Sequence, residues 1–182
     1  MSPKGLARVK DAVARRGLGG ALAAAGRELS EAVTSTYTYA RFTLGRREFA
    51  CAGRRYRYFV HPYNQTWRNE RAVEVPLVRA EVEARPGART LEVGNVLSHY
   101  FPWRHDRVDK YERGPGVRNV DIVEFSGGPY DLVLSISTLE HVGYDEDPKE
   151  PDKPLRAIRH LQTLLAPGGT ILASLPMGYN PY

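Results

Sequence analysis

The chain has 182 residues, 42% hydrophobic and 26% charged, which allows one folded core with an appendage and excludes a wholly disordered chain. A single cysteine, Cys51, excludes an intrachain disulfide and a cysteine-based metal cluster. The formal charge of +5 is uneven. Residues 1–90 carry seventeen Lys/Arg against eight Asp/Glu, residues 91–182 nine against thirteen, so a +9 half precedes a −4 half. A basic half suits RNA, anionic lipid or an anionic substrate, and says nothing about fold. No apolar run approaches the ~20 residues of a bilayer span. Arg15-Arg16 ahead of residues 18–25 has the outline of a twin-arginine export signal, but that run is short, glycine-broken and mostly alanine. A cytoplasmic protein without a membrane span is expected.

Residues 1–35 read as helical, with Leu6, Val9 and Val13 on one stripe of a basic helix and Gly17, Gly19 and Gly20 as interruptions. Such an arm packs on the domain or a partner; its narrow apolar face, without large aromatics, suits a membrane surface less well. In residues 37–61 aromatic, β-branched and basic residues alternate. Segments 48–51 and 56–60 flank Ala52-Gly53-Arg54, the pattern of a hairpin turning at glycine. Tyr56, Tyr58 and Val60 share one face and Arg55 and Arg57 the other. That suits a solvated basic face or, less often, a nucleic-acid platform. Residues 61–71 are polar and aromatic, either a lid over a site or a well-bonded loop. Thr66 or Asn69 is expected to cap the helix that follows, with Val73, Leu77 and Val82 on its buried side. Pro76 either kinks that helix or marks its first turn.

Pro86-Gly87 separates this extension, residues 1–85, from a core over 86–182. Thr90-Leu91-Glu92-Val93-Gly94-Asn95 reads as a buried strand ending at a tight turn, with Gly94 free to bring the backbone close to a ligand. Glu92 is anomalous in such a strand, because a buried carboxylate is costly unless polar partners meet it. Further short runs contain Val108, ending at Asp109, and Val117 with Val120, ending at Asp121. Residues 130–137 and 170–175 give two more. A helix with Leu155, Ile158, Leu161 and Leu165 on one face stops at Pro167-Gly168-Gly169. The alternation of short apolar runs and connections is that of an α/β fold with a doubly wound, mostly parallel sheet. Glu92, Asp109 and Asp121 then line one sheet edge, where a ligand with hydroxyls, an amine and a positive charge, or a metal ion, would explain them.

In order and spacing these segments resemble the class I S-adenosylmethionine-dependent methyltransferases, particularly the small-molecule group, over residues 89–176. Leu91-Glu92-Val93-Gly94 is similar to the family's first motif and Val108-Asp109 to its second-strand acid. Val120-Asp121-Ile122 is similar to the segment that meets adenine. Tyr130 to Val142 resembles the fourth strand and following helix, and Leu165 to Leu172 the turn into the fifth strand. The resemblance implies a Rossmann-like methyltransferase fold with an N-terminal helical and hairpin extension. It also implies S-adenosyl-L-methionine as cofactor, held by Glu92, Gly94, Asn95, Asp109, Asp121, Ile122 and Ser137. The expected activity is methyl transfer to an oxygen or nitrogen of a small-molecule substrate, a sugar or glycan precursor being one option. Alternatives are an RNA methyltransferase and a non-catalytic binding module.

Two departures stand out. The family's Gly-x-Gly-x-Gly is reduced to Gly94, with Val96 and Ser98 in place of glycines, and Pro102 leaves little room for a full first helix. Alignment and proximity supply most of the acceleration in an in-line methyl displacement, and a base takes the acceptor's proton. His141, with Glu140 beside it, stands in the position for that base; the alternative is that His141 only caps or packs the next segment. The acidic run Asp145, Glu146, Asp147, Glu150 and Asp152 reads as solvated charge rather than a Mg²⁺ site. Family members add strands beyond the fifth. An incomplete core, or coverage of the fifth strand's edge by the hairpin or another subunit, is therefore expected; the oligomeric state is open.

Overall fold

The computed structural model describes residues 3–45 and 47–176, without the side chains of residues 3–12, 16, 18 and 21. The chain divides near Glu48 into two units. The first is helix α1, Pro3–Leu44, two helical pieces joined across Gly17, whose φ of 68° and ψ of 169° are not helical. The side chains of Leu6 and Val9 lie outside the described residues. The helix runs nine residues past the expected end at residue 35. Threonine is a weak helix former, but here Thr36 and Thr38 donate their hydroxyls to the carbonyls of Ala32 and Thr34, at 2.8 and 2.7 Å. Those bonds turn the competing polar group back onto the helix's own backbone.

The second unit begins with a hairpin, β1 (Glu48–Cys51) and β2 (Arg54–Arg57), turning at Ala52 and Gly53, both with positive φ. Two left-handed residues match the twist of paired strands. Phe49 lies against Tyr56 and Tyr58 with centroids 5.5 and 5.0 Å away, so the tyrosine face packs on its own hairpin. Residues 61–71 form a well-bonded loop. Fully buried Thr66 donates its hydroxyl to the Phe59 carbonyl at 2.9 Å and accepts the His61 N–H at 2.8 Å. Thr66 is thus no helix cap, and the cap position of α2 (Arg71–Glu83) belongs to Glu70, whose side chain makes no capping bond; Asn69 accepts the Arg71 N–H at 3.1 Å from one residue further out.

Pro76 lies inside α2, neither at its first turn nor at its end. Proline leaves the carbonyl four residues back without an intrahelical partner. Here that carbonyl, Ala72, accepts the Phe59 N–H at 2.9 Å. The buried face of α2 is Ala72, Glu74, Val75 and Val78; of the expected Val73, Leu77 and Val82, Val82 packs against the core and the other two are only half-buried.

Five parallel strands form the core sheet: β3 (Thr90–Val93), β4 (Asp106–Val108), β5 (Val117–Arg118), β6 (Tyr130–Ile136) and β7 (Leu165–Ser174), in the order β5-β4-β3-β6-β7. On one face Leu91, Val93 and Val133 pack with Ala157 and Leu161 of α3 (Lys153–Thr163). On the other Leu132, Leu134 and Ile136 pack with Val78 of α2 and with Leu97. The molecule's second unit is therefore a mixed α/β structure with helices on both faces of a parallel sheet.

Several expected boundaries shift. The run to Asp121 is a strand only over Val117–Arg118, and Asp121 sits in the turn beyond, its carboxylate accepting the Val123 N–H at 3.2 Å. Leu155 of α3 is 56% exposed, whereas the expected Ile158, Leu161 and Leu165 pack in the core, joined there by Ala157 and Leu164. Pro167-Gly168-Gly169 does not end α3 but lies within β7, where the register with β6 is irregular between Tyr130 and Leu132. The hairpin forms its own two-stranded sheet, and β7 pairs only with β6 among the described residues, so the hairpin does not cover that edge. No described helix is long and apolar enough to cross a membrane.

Candidate functional site

From β3 the chain moves outward through β4 and β5, then crosses back to place β6 on the other side of β3. Adjacent loops part at that reversal, leaving a crevice outside the strands' carboxyl ends. A pocket of about 330 Å³ lies there, lined by residues from four segments, among them Gly94, Asp109, Asp121, Ile122, Thr138 and His141. Val93, Val108, Val120 and Val142 give it an apolar wall.

Gly94 makes the first turn. Its φ is +90°, and a Cβ there would stand 2.4 Å from Thr138 Oγ1, so the loops after β3 and β6 approach only because this residue has no side chain. Glu92 is fully buried and points away from the pocket wall into its own loop. One oxygen accepts the N–H groups of Val96 and Leu97 at 2.9 and 2.7 Å, and the other meets His105 Nε2 at 2.6 Å. The anomalous carboxylate is thus satisfied as a backbone anchor, replacing the helix that the Leu97–His99 turn is too short to supply. Val96 packs against the α2-side core, which removes its bulk from the crevice. Asn95, also absent from the lining, is buried, accepts the Ser98 hydroxyl at 2.6 Å and donates to Glu112 at 2.6 Å.

Asp109 stands at the end of β4. Its Oδ1 accepts the Tyr111 and Glu112 N–H groups at 2.9 and 2.7 Å, and its Oδ2 the Asn95 N–H at 3.2 Å. A carboxylate offers about four lone-pair positions, so Oδ2 keeps capacity for a ligand donor.

Asp121 is held differently. Lys110 and Lys153 lie 2.9 and 2.7 Å from its Oδ2, and Glu146 lies 2.8 Å from Lys110 and also pairs with Lys153. The four charges alternate in a closed ring beside the pocket. Burial raises the Asp121 pKa, but hydrogen bonds from Lys153 and Lys110 outweigh it and hold the carboxyl at about 2. Glu146 is likewise lowered and both lysines are raised, in each case because the ring's hydrogen bonds overcome desolvation. Glu146 therefore faces inward, unlike solvated charge, and Glu150 pairs with Arg156. Among the described residues no cluster of His, Cys, Asp and Glu is arranged to hold a metal ion.

His141 lines the pocket with Nδ1 2.7 Å from Asp145 Oδ2, both side chains 58% exposed. With Nδ1 donating to the carboxylate, Nε2 is left as the acceptor. Glu140 and Ser137 do not line this pocket. They lie toward α2, where Ser137 donates its hydroxyl to Glu74 at 2.6 Å and Glu140 keeps a buried oxygen without a partner.

Lys110, Lys153, His105, Arg71 and Glu74 were not legible as site residues. Lys110 directly follows the strand-end acid and Arg71 and Glu74 stand three residues apart on one helix, both weak signals; Lys153 and His105 meet Asp121 and Glu92 only through the fold. The chain matches no family model, no curated protein and no solved structure.

Proposed function

We propose that the protein is an S-adenosyl-L-methionine-dependent methyltransferase of Rossmann-like fold that acts on an oxygen or nitrogen of a small polar molecule. The observation that carries this reading is the convergence of Gly94, Asp109, Ile122 and His141 on one crevice at the sheet's switch point. The residues there fit the cofactor. Asp109 Oδ2 retains an acceptor position for a ribose hydroxyl, and the apolar wall with Ile122 suits a flat base. Bound there, the cofactor supplies an electrophilic methyl group. His141, oriented by Asp145, accepts the acceptor's proton at Nε2, and the pocket walls hold the reactants in line. Both lysines hold Asp121 through Oδ2, and Oδ1, which accepts only the Val123 N–H, keeps a position for an adenine amine.

The second reading, a non-catalytic module of the same fold, is favoured by Val96 and Ser98 standing where the resembled motif has glycines. Calorimetry with S-adenosylhomocysteine separates them from a fold without the cofactor: saturable one-site binding is expected. Absence of binding at millimolar ligand would remove both the enzyme and the cofactor-binding module. Binding without turnover on any acceptor would leave the module.

A further inference from the structure

Beside the pocket, where β6 ends facing α2, three costly features occur together. Arg71 and Glu74 pair at 2.6 Å with side chains only 12% and 9% exposed, where apolar side chains would serve stability at least as well. Ser137 holds a φ of 41°, a left-handed conformation that serine keeps only where its surroundings impose it, and donates its hydroxyl to Glu74. Glu140 Oε2 is buried and lacks a hydrogen-bond partner among the described residues. Burial pushes that carboxyl up, and Glu74 adds to the shift while Arg71 opposes it. Both Glu74 oxygens are satisfied; the deficit at Glu140 is for a donor.

An aromatic wall stands next to this cluster. Tyr63, 48% exposed, stacks on His99 at 4.2 Å, and Tyr100 crosses it edge-on at 5.8 Å. The Tyr100 hydroxyl, hydrogen-bonded to the Asn64 side chain, is pushed up by burial against the opposing charge of Arg71. An exposed flat ring beside carboxylate and hydroxyl groups is complementary to a pyranose. Such a sugar has an apolar C–H face and hydroxyls that both donate and accept.

We propose that Arg71, Glu74, Ser137 and Glu140, with Tyr63 and Tyr100 as a wall, form the acceptor subsite. Its ligand is a neutral sugar whose hydroxyl donates to Glu140. The inference rests on the methyl-transfer reading of the adjoining pocket, where His141, next in the chain, takes the acceptor's proton. Arg71 is already matched by Glu74, so the cluster does not select a carboxylate or phosphate.

The test is saturation-transfer NMR on the whole chain with the methyl α-glycosides of glucose, galactose, mannose and rhamnose, and with glucosamine. Calorimetry with S-adenosylhomocysteine runs in parallel. At least one glycoside should show transfer to its ring C–H protons. That binding should weaken about tenfold in Glu140→Gln, which deletes one charged hydrogen bond, and more in Tyr63→Ala, with S-adenosylhomocysteine affinity within about twofold of the parent. Should Tyr63→Ala fail to fold, the near-isosteric Glu140→Gln decides alone. No transfer from any glycoside, or transfer undiminished in Glu140→Gln, overturns the subsite. Tighter binding of glucosamine than of the glucoside overturns its neutral class. Sugar binding without S-adenosylhomocysteine binding keeps the sugar site and rejects the methyl-transfer reading; the reverse result rejects the sugar site alone.

Discussion

Gly94 shows how far one residue fixes the site. Alanine there must hold a φ of +90° and place a Cβ 2.4 Å from Thr138 Oγ1. Gly94→Ala is expected to cost roughly 1–3 kcal/mol from the backbone alone, read as a lower denaturation midpoint, and to weaken S-adenosylhomocysteine binding with it. Asp109→Ala should weaken that binding by about ten- to a hundredfold, the loss of a charged acceptor, as measured by calorimetry. An unchanged affinity would place the ribose elsewhere. The ion-pair ring makes a pH prediction. The Asp121 carboxyl lies at about 2 in the folded chain against an ordinary 3.8. Its pairing therefore stabilises the fold in full above about pH 4 and is lost as pH falls toward 2. Lys153→Met removes one of the two cations and lets the carboxyl rise. The stability gap between parent and variant should be widest near neutral pH and narrow toward pH 2, which urea melts across that range would reveal.

At the scale of elements, α3 separates pattern from packing. Leu155 and Leu161 share a helical stripe in the sequence, yet the first is 56% exposed and the second fully buried. Leu161→Ala should cost about 2–5 kcal/mol, and Leu155→Glu within about 0.5 kcal/mol of nothing. Equal losses in chemical denaturation would mean that α3 sits on the sheet in another rotation. In α2 the missing N–H of Pro76 is answered from outside the helix, by Phe59. The same exchange recurs in β3, where Glu92 supplies the acceptors that a following helix would otherwise organise. In both places a local rule is broken and the repair comes from a neighbouring segment, so neither element is stable in that form alone.

For the whole molecule, the exposed feature is the edge of β7. Ten residues without a charge, Leu165–Ser174, present one side of their backbone unpaired among the described residues. Such an edge templates pairing with another chain, and a charged side chain on it is the usual deterrent. Ala173→Lys, at an exposed position, should therefore reduce self-association in light scattering while leaving S-adenosylhomocysteine binding intact. The hairpin bears on the RNA alternative. With Tyr56 and Tyr58 lying against Phe49 and Arg54 against Tyr56 and 3.9 Å from Glu81, its aromatic and basic groups have partners within the chain.

What the sequence determined by itself was the alternation of short apolar runs, the turn at Gly94 and the acids at the ends of Val108-Asp109 and near Val120-Asp121. Those follow from local chemistry: apolar periodicity, glycine's access to positive φ, and polar residues where strands stop. His141 was legible for the same reason, as a titratable group at a strand's end. The tertiary structure alone decided what each acid does. Glu92 turned inward because three donors, two from its own loop and one from His105, close around it, while Asp121 was claimed by lysines eleven residues before it and thirty-two after it. Ser137 and Glu140, adjacent in sequence to pocket residues, lie outside the pocket lining and toward α2. A left-handed residue at Ser137 redirects the chain there, and Arg71 and Glu74 come from a helix some sixty residues earlier. Ion pairing and burial depend on which distant segments the sheet order brings together, and no local pattern encodes that.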